Sequence, residues 1–379
     1  MVLELLGVTL GQLIEAVKGK ACSNPLAFSS HSSATARPGI FGRSIGVPSI
    51  GAVYSSNPDL SIDFPCIMQM VFWDLLIMMD LFIRISLGLP GFLILFAAVI
   101  FVLMNHTNGA LVSSGRRRSY LLYVPRTYNP AVPTPLVISI HGYAEWPAHQ
   151  MRISRWNDLA DRYGFIVVYP SGTRFPLRWR TTTTPGTDND LLDVTFISDL
   201  IDKLEASYNL DPARIYANGL SNGGGMSFLL SGKLYGRIAA IGSVSGAYLL
   251  PWSEYHPTRP VPAILFHGTA DPIVPYQGGP SRSFNIPFPA IPDWVESLAR
   301  INGCTGSPQE IPAHGEVSGI RFTNCASDAE VIFYKITGGG HSWPGGGAMP
   351  KRIVGVTTRV IDATKLMWDF FQQHPLPGK

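Results

Sequence analysis

The sequence predicts an α/β domain built on a mainly parallel sheet covered by helices on both faces. After Gly115, short apolar runs closed by Gly or Pro recur, as strands buried on both faces require. Helical stretches alternate with them, the pattern that places parallel strands under crossover helices. With 379 residues, 46% hydrophobic and 15% charged, the chain is long enough for one large domain with material left over.

Residues 1 to about 80 show no sustained period of 2 or 3.6 and are rich in Ser, Gly and Pro. They read as disordered, or as translated sequence upstream of the true start. Residues 85–104, "ISLGLPGFLILFAAVIFVLM", carry no charge and as a helix match a bilayer core about 30 Å thick. They read as a membrane anchor, or as the apolar core of a signal peptide starting at Met78 or Met79 with Arg84 as its positive end. Arg116, Arg117 and Arg118 follow the run, which for an anchor keeps the C-terminal part cytoplasmic. A cleaved leader escapes that constraint.

Strands are expected at Ser119–Pro125, Pro135–Gly142, Gly164–Pro170, Arg214–Gly219, Arg237–Gly246, Val261–Gly268 and Glu330–Ile336. Helices are expected at Asp190–Tyr208, Asp293–Gly303 and Arg359–His374. In the first helix Leu192, Phe196, Leu200 and Leu204 recur every fourth position, as in a helix packed on a sheet. A net charge of +3 and the lack of a long Lys/Arg run argue against nucleic acid as a partner.

Two serines sit in the pattern G-x-S-x-G. Ser221 follows the strand "RIYANG" and precedes a segment able to form a helix. That is the context of a nucleophile elbow, a sharp strand-to-helix turn with glycines where a Cβ would collide with neighbouring backbone. Ser44, in "GRSIG" between Pro38 and Pro48, has neither neighbour and is a chance match.

A serine hydroxyl needs a base to take its proton and a carboxylate to hold that base. In this topology the chain order is Ser, acid, His. Five histidines follow Ser221: His256, His267, His314, His341 and His374. His341, in "TGGGHSWPGGG" just past a strand, is the candidate base, because its glycines let a loop carry the imidazole over the strand ends. Asp271, in "ILFHGTADPIVPY", directly follows a strongly apolar strand and is the candidate acid. Asp293, Asp328 and Glu254 read as a cap or as solvated loop positions.

The oxyanion of a tetrahedral intermediate needs backbone donors, expected at Asn222 and at Tyr143 in "ISIHGYAEW". Trp343 beside the base, and Trp179 on a loop over the site, are candidate substrate-binding residues. "SFLLSGKL" fails as a phosphate loop, since Ser227 and Leu234 occupy positions requiring Gly and Ser or Thr. There is no H-E-x-x-H and no C-x-x-C, so no metal is expected.

The blocks "DPARIYANGLSNGGGMS", "HGTADPIVPY", "GGGHSWPGG", "YPSGT" and "LDVTFISDLID" resemble the poly(3-hydroxybutyrate) depolymerase and feruloyl esterase family of secreted α/β-hydrolases, over residues 114–375. The resemblance implies an α/β-hydrolase fold and serine-dependent hydrolysis of carboxylic esters through an acyl-enzyme, with no cofactor. The substrate it implies is a polyhydroxyalkanoate-type polyester or a feruloyl or other phenolic ester. The family's nucleophile, acid and base fall on Ser221, Asp271 and His341.

Two positions depart from the family pattern. Tyr143 stands where a small or sulfur-containing residue is usual, and Leu192 where an acid is common. Cys304 and Cys325 resemble the family's paired cysteines, whose bond persists only in an oxidising compartment, so a secreted or periplasmic location is expected. Membrane attachment through residues 85–104 stays open. Two other readings also remain, a serine peptidase on the same fold and a catalytically silent, membrane-tethered binding module.

Overall fold

The computed structural model describes residues 106–182, 191–281, 284 and 286–378, together with Gly91, Leu93 and Phe96. The fold set out here is that of the unit Val99–Lys379. Residues 1–80 with Ser44, Cys22 and Cys66, and nearly all of the apolar stretch 85–104, lie outside the described residues. Among the described residues no helix is long and apolar enough to cross a membrane.

Ten strands form one sheet: β1 (Gly109–Ser113), β2 (Arg116–Tyr123), β3 (Thr134–Ile140), β4 (Ile166–Pro170), β5 (Leu210–Leu220), β6 (Ala240–Val244), β7 (Ala263–Gly268), β8 (Gln309–His314), β9 (Val317–Phe322) and β10 (Val331–Ile336). Their order is β1-β2-β4-β3-β5-β6-β7-β10-β9-β8. The central run from β4 to β10 is parallel throughout. Antiparallel hairpins close both edges, β1–β2 on one side and β8–β9 on the other.

Alternation along β3 builds the two cores. Leu136, Ile138 and Ile140 face one cluster and Val137 the other, as the two-residue period of a strand dictates. The first cluster is covered by α3 (Leu192–Glu205), α4 (Asn222–Lys233) and α5 (Ile291–Ile301), through Phe196, Phe228 and Trp294 among others. The second is covered by α1 (Pro147–Ser154), α2 (Trp156–Tyr163) and α7 (Ala363–Gln373), where Trp156 and Tyr216 both stack on Phe371. One further turn of helix, α6 (Lys351–Val354), lies between β10 and α7. The doubly covered parallel sheet is therefore present.

The differences from the sequence-based expectation are local. β8 and β9 escape because β8 is exposed at five of its six positions and carries no apolar alternation. The pair α1–α2 escapes because Arg155, at φ 59°, breaks it into two short helices. On α3, Asp193 is fully buried, which no local pattern in the sequence marks. Its carboxylate pairs with Arg118 at 2.9 Å and Arg180 at 3.2 Å, tying the segment after β4 to the sheet. Such a triad is costly to break, because removal of one partner leaves an uncompensated buried charge.

Cys304 and Cys325 are joined by a disulfide that closes a separation of 21 residues and ties the end of α5 to the loop after β9. A cross-link of that span stabilises by about 3 kcal/mol in the chain-entropy account. Replacing both cysteines by serine is expected to lower the unfolding free energy by that order. A thiol reductant should then lower the thermal midpoint of the parent chain and leave that of the double variant unmoved.

Candidate active site

In an open parallel sheet, ligands meet the loops at the carboxyl ends of the strands. Tyr143 follows β3, Ser221 follows β5, Asp271 follows β7 and His341 follows β10, all at that end of the parallel run. Asp271 and His341 are in direct contact, and Ser221 lines the same cavity as His341.

Ser221 occupies the turn between β5 and α4 at φ 58° and ψ −119°, a conformation that side-chain-bearing residues rarely adopt. Its N–H donates to Val244 O at 2.9 Å, and its carbonyl accepts from Ala247 N–H at 2.9 Å, so the end of β6 holds the turn from both sides. The flanking glycines are required by space. A Cβ on Gly223 would stand 2.1 Å from Ile140 O, and one on Gly219 would stand 2.4 Å from Gly223 C.

Asp271 is nearly fully buried. One oxygen, Oδ1, accepts from the N–H groups of Ile273 and Val274 at 2.8 Å each. The other, Oδ2, lies 2.8 Å from His341 Nδ1. Burial opposes ionisation of this carboxyl, yet His341, His267 and the Val274 N–H together hold it below the usual aspartate range. With Asp271 ionised, His341 Nδ1–H is the donor and Nε2 keeps its lone pair.

Backbone bonds tie the loop of Asp271 to the loop of His341, and the latter to α6. Ala270 N–H donates to Gly339 O at 2.9 Å, and His341 N–H donates to Val354 O at 2.6 Å. A Cβ on Gly268 would meet Gly339 O at 2.2 Å. Ser221 and His341 line one cavity of about 370 Å³. Among the described residues no hydrogen bond engages Ser221 Oγ or His341 Nε2, which leaves both atoms available to a substrate. Contacts of this kind commonly close only around a bound substrate.

The backbone N–H groups of Tyr143 and Asn222 are likewise without an acceptor among the described residues. Asn222 opens α4, so its N–H also lies at the positive end of a helix dipole. Its side chain instead braces a neighbouring loop, with Oδ1 accepting from Trp179 N–H at 2.7 Å.

The two tryptophans expected to touch substrate are placed elsewhere. Trp179 is 2% exposed, and its Nε1–H donates to His141 O at 2.9 Å, bracing the loop below Tyr143. Trp343 is fully buried and donates to Thr364 Oγ1 at 2.8 Å. Each ring hydrogen finds a partner in the core, which is why these side chains turn inward. The aromatic wall of the cavity comes instead from Tyr143, Phe284 and Phe288, with ring centroids 6.0 Å apart for Tyr143–Phe284 and 6.2 Å for Phe284–Phe288. Phe284 and Phe288 sit in a Pro-rich loop without periodicity, so no pattern in the sequence marks them. Ile273 and Ile353 add an exposed apolar rim.

Two other histidines near the site are braces. His267 directs Nε2 to Val274 O at 2.9 Å, and burial pushes its pKa down. His141 accepts from Gly172 N–H through Nε2 at 2.9 Å, which places its proton on Nδ1, 2.7 Å from Gly142 O. Burial lowers its pKa from 6.5 to about 4. Among the described residues no group of His, Cys, Asp and Glu is arranged to hold a metal ion.

Two outcomes are expected. Gly223→Ala should abolish turnover, since the added carbon meets strand backbone, and circular dichroism with activity assays checks whether the fold survives. Between pH 6.5 and 4 the unfolded chain binds a proton at His141 that the folded chain refuses. Stability from this group is complete above 6.5 and lost as pH falls toward 4, a difference of roughly 3 kcal/mol. Thermal midpoints measured across that window should fall with pH, and less steeply in His141→Gln.

Comparison with known proteins places the chain among esterases. Residues 118–275 match the family model described as Esterase PHB depolymerase. A putative esterase, NocK, of Nocardia uniformis subsp. tsuyamanensis is 30% identical over 282 residues, which cover 69% of this chain and 80% of that protein. Feruloyl esterase B of Piromyces equi is 29% identical over 69% of this chain, which spans only 46% of that longer protein. Among solved structures, an acetyl xylan esterase from Aspergillus awamori shares the fold with a TM-score of 0.50 and 16% identity, covering 70% of this chain and 98% of that one. The chain belongs to the Esterase PHB depolymerase family and is a carboxylic ester hydrolase of the α/β-hydrolase fold.

Proposed function

We propose that the chain hydrolyses esters of aromatic, phenolic acids through an acyl-enzyme on Ser221, with His341 as base and Asp271 as its orienting acid. The observation that carries the reading is the 2.8 Å contact between His341 Nδ1 and Asp271 Oδ2 beside a serine held at a strand-to-helix turn.

In this mechanism His341 Nε2 takes the Ser221 proton as Oγ attacks the ester carbonyl. The carbonyl oxygen becomes an oxyanion that accepts from Tyr143 N–H and Asn222 N–H, donors already oriented before substrate arrives. Collapse breaks the bond to the alcohol, which leaves with the proton from His341. Water then attacks the acyl-enzyme, giving up its proton to the same nitrogen, and releases the acid and free Ser221. Asp271 keeps the imidazole in the right tautomer and balances its charge.

The choice of acyl group rests on the wall formed by Tyr143, Phe284 and Phe288, which suits a flat ring in a cavity of about 370 Å³. Relatives named as feruloyl esterases support the same class. A polyester chain is the second reading, favoured by the apolar rim, where Ile353 is 64% exposed. The Cys304–Cys325 bond supports export, with residues 85–104 as leader or anchor.

Fluorophosphonate labelling of the full chain should be lost in Ser221→Ala. Asp271→Asn should reduce kcat by a factor on the order of 10³ to 10⁴, as expected when the imidazole loses its orienting charge. Among methyl ferulate, p-nitrophenyl acetate and polyhydroxybutyrate film, methyl ferulate is expected to show the highest kcat/KM. Phe284→Ala should lower that value chiefly through KM. Full labelling of Ser221→Ala would refute the assignment.

A further inference from the structure

We propose that Glu145 is a positioning residue for the oxyanion loop, and that His149 orients its carboxylate. The inference rests on the reading above, in which Tyr143 N–H is an oxyanion donor.

The loop after β3 is nearly saturated with internal hydrogen bonds. Gly142 N–H donates to Glu145 Oε2 at 2.9 Å, Ala144 N–H to Leu177 O at 2.8 Å and Glu145 N–H to Gly142 O at 3.4 Å. Of the four successive N–H groups from Gly142 to Glu145, Tyr143 alone is left without an acceptor among the described residues. The Glu145 carboxylate thus fixes the peptide immediately before the proposed donor. Without it, Gly142 N–H would need a new acceptor and the loop would lose the bond that closes it across three residues.

A carboxylate in this place has an electrostatic cost. Glu145 lines the same cavity as Ser221, so its negative charge opposes an oxyanion developing there. His149, on α1 one turn further along, puts Nδ1 3.3 Å from Glu145 Oε1. Burial opposes ionisation of Glu145, yet His149 and the Gly142 N–H hold its carboxyl below the ordinary glutamate range. One oxygen is thus held by the loop backbone, and the other lies against the His149 ring.

A glutamine keeps the acceptor for Gly142 N–H and removes the charge, which separates the two roles. With p-nitrophenyl acetate, Glu145→Ala is expected to lower kcat by about tenfold to a hundredfold with little change in KM, the signature of a misplaced transition-state donor. Glu145→Gln should restore kcat to within about threefold of the parent enzyme. His149→Ala should lower kcat by about threefold to tenfold when residue 145 is glutamate, and by less than about twofold in the Glu145→Ala background, where no carboxylate is left to orient. Thermal midpoints of all variants confirm folding.

The proposal is overturned if folded Glu145→Ala keeps the parent kcat, if glutamine is no better than alanine, or if His149→Ala costs the same in both backgrounds. Ser221→Ala run alongside separates the two levels. Retained activity there defeats the serine mechanism itself, whereas lost activity there with full activity in Glu145→Ala defeats only the role given to Glu145.

Discussion

The structure depends on how closely three stretches of backbone approach one another beneath Ser221. The end of β3, the end of β5 and the first turn of α4 meet where Gly219 and Gly223 leave no room for a side-chain carbon. That contact fixes the φ of 58° at Ser221, lifts its hydroxyl out of the sheet and aims the start of α4 at the same point. Strain of this kind persists only where the surroundings over-determine it. Here the hydrogen bonds to Val244 and Ala247 do so.

From this contact the rest of the site is arranged by topology. β7 and β10 lie on one side of β5 and deliver the carboxylate and imidazole, while β3 on the other side delivers the loop carrying Tyr143. A second framework holds that loop from behind. His141 bonds across to Gly172, Trp179 to His141, and Asn222 to Trp179, so the turn after β3, the segment after β4 and the start of α4 form one hydrogen-bonded unit. Asp193 anchors the same segment to Arg118 of β2. Buried polar groups this well partnered confer a single arrangement.

Much of this was legible in the sequence, and for identifiable reasons. The central strands are buried on both faces, so they read as short apolar runs with little ambiguity. Ser221, Asp271 and His341 each follow such a run and each sit among glycines or prolines whose spacing reflects a backbone constraint. The features that were not legible lack a local signature. β8 is exposed and irregular, Asp193 is buried only because two arginines distant in sequence reach it, and Phe284 and Phe288 face the cavity only because their loop folds back over it. Trp179 and Trp343 lie in the core rather than against the cavity because their indole hydrogens find partners there, a fact no sequence pattern carries.

The hairpin at the far edge of the sheet has a bearing on how the molecule behaves in a crowd. β8 is the outermost strand, with exposed backbone and the sequence Gln309, Glu310, Ile311, Pro312, Ala313, His314. An uncovered strand is a template on which a neighbouring chain can crystallise its own edge, the first event in amyloid growth. Pro312 offers no N–H to such a newcomer, and Glu310 brings a charge to it. The register shift between Ile311 and His314 bends the strand as well. The sheet therefore ends at a sterile margin.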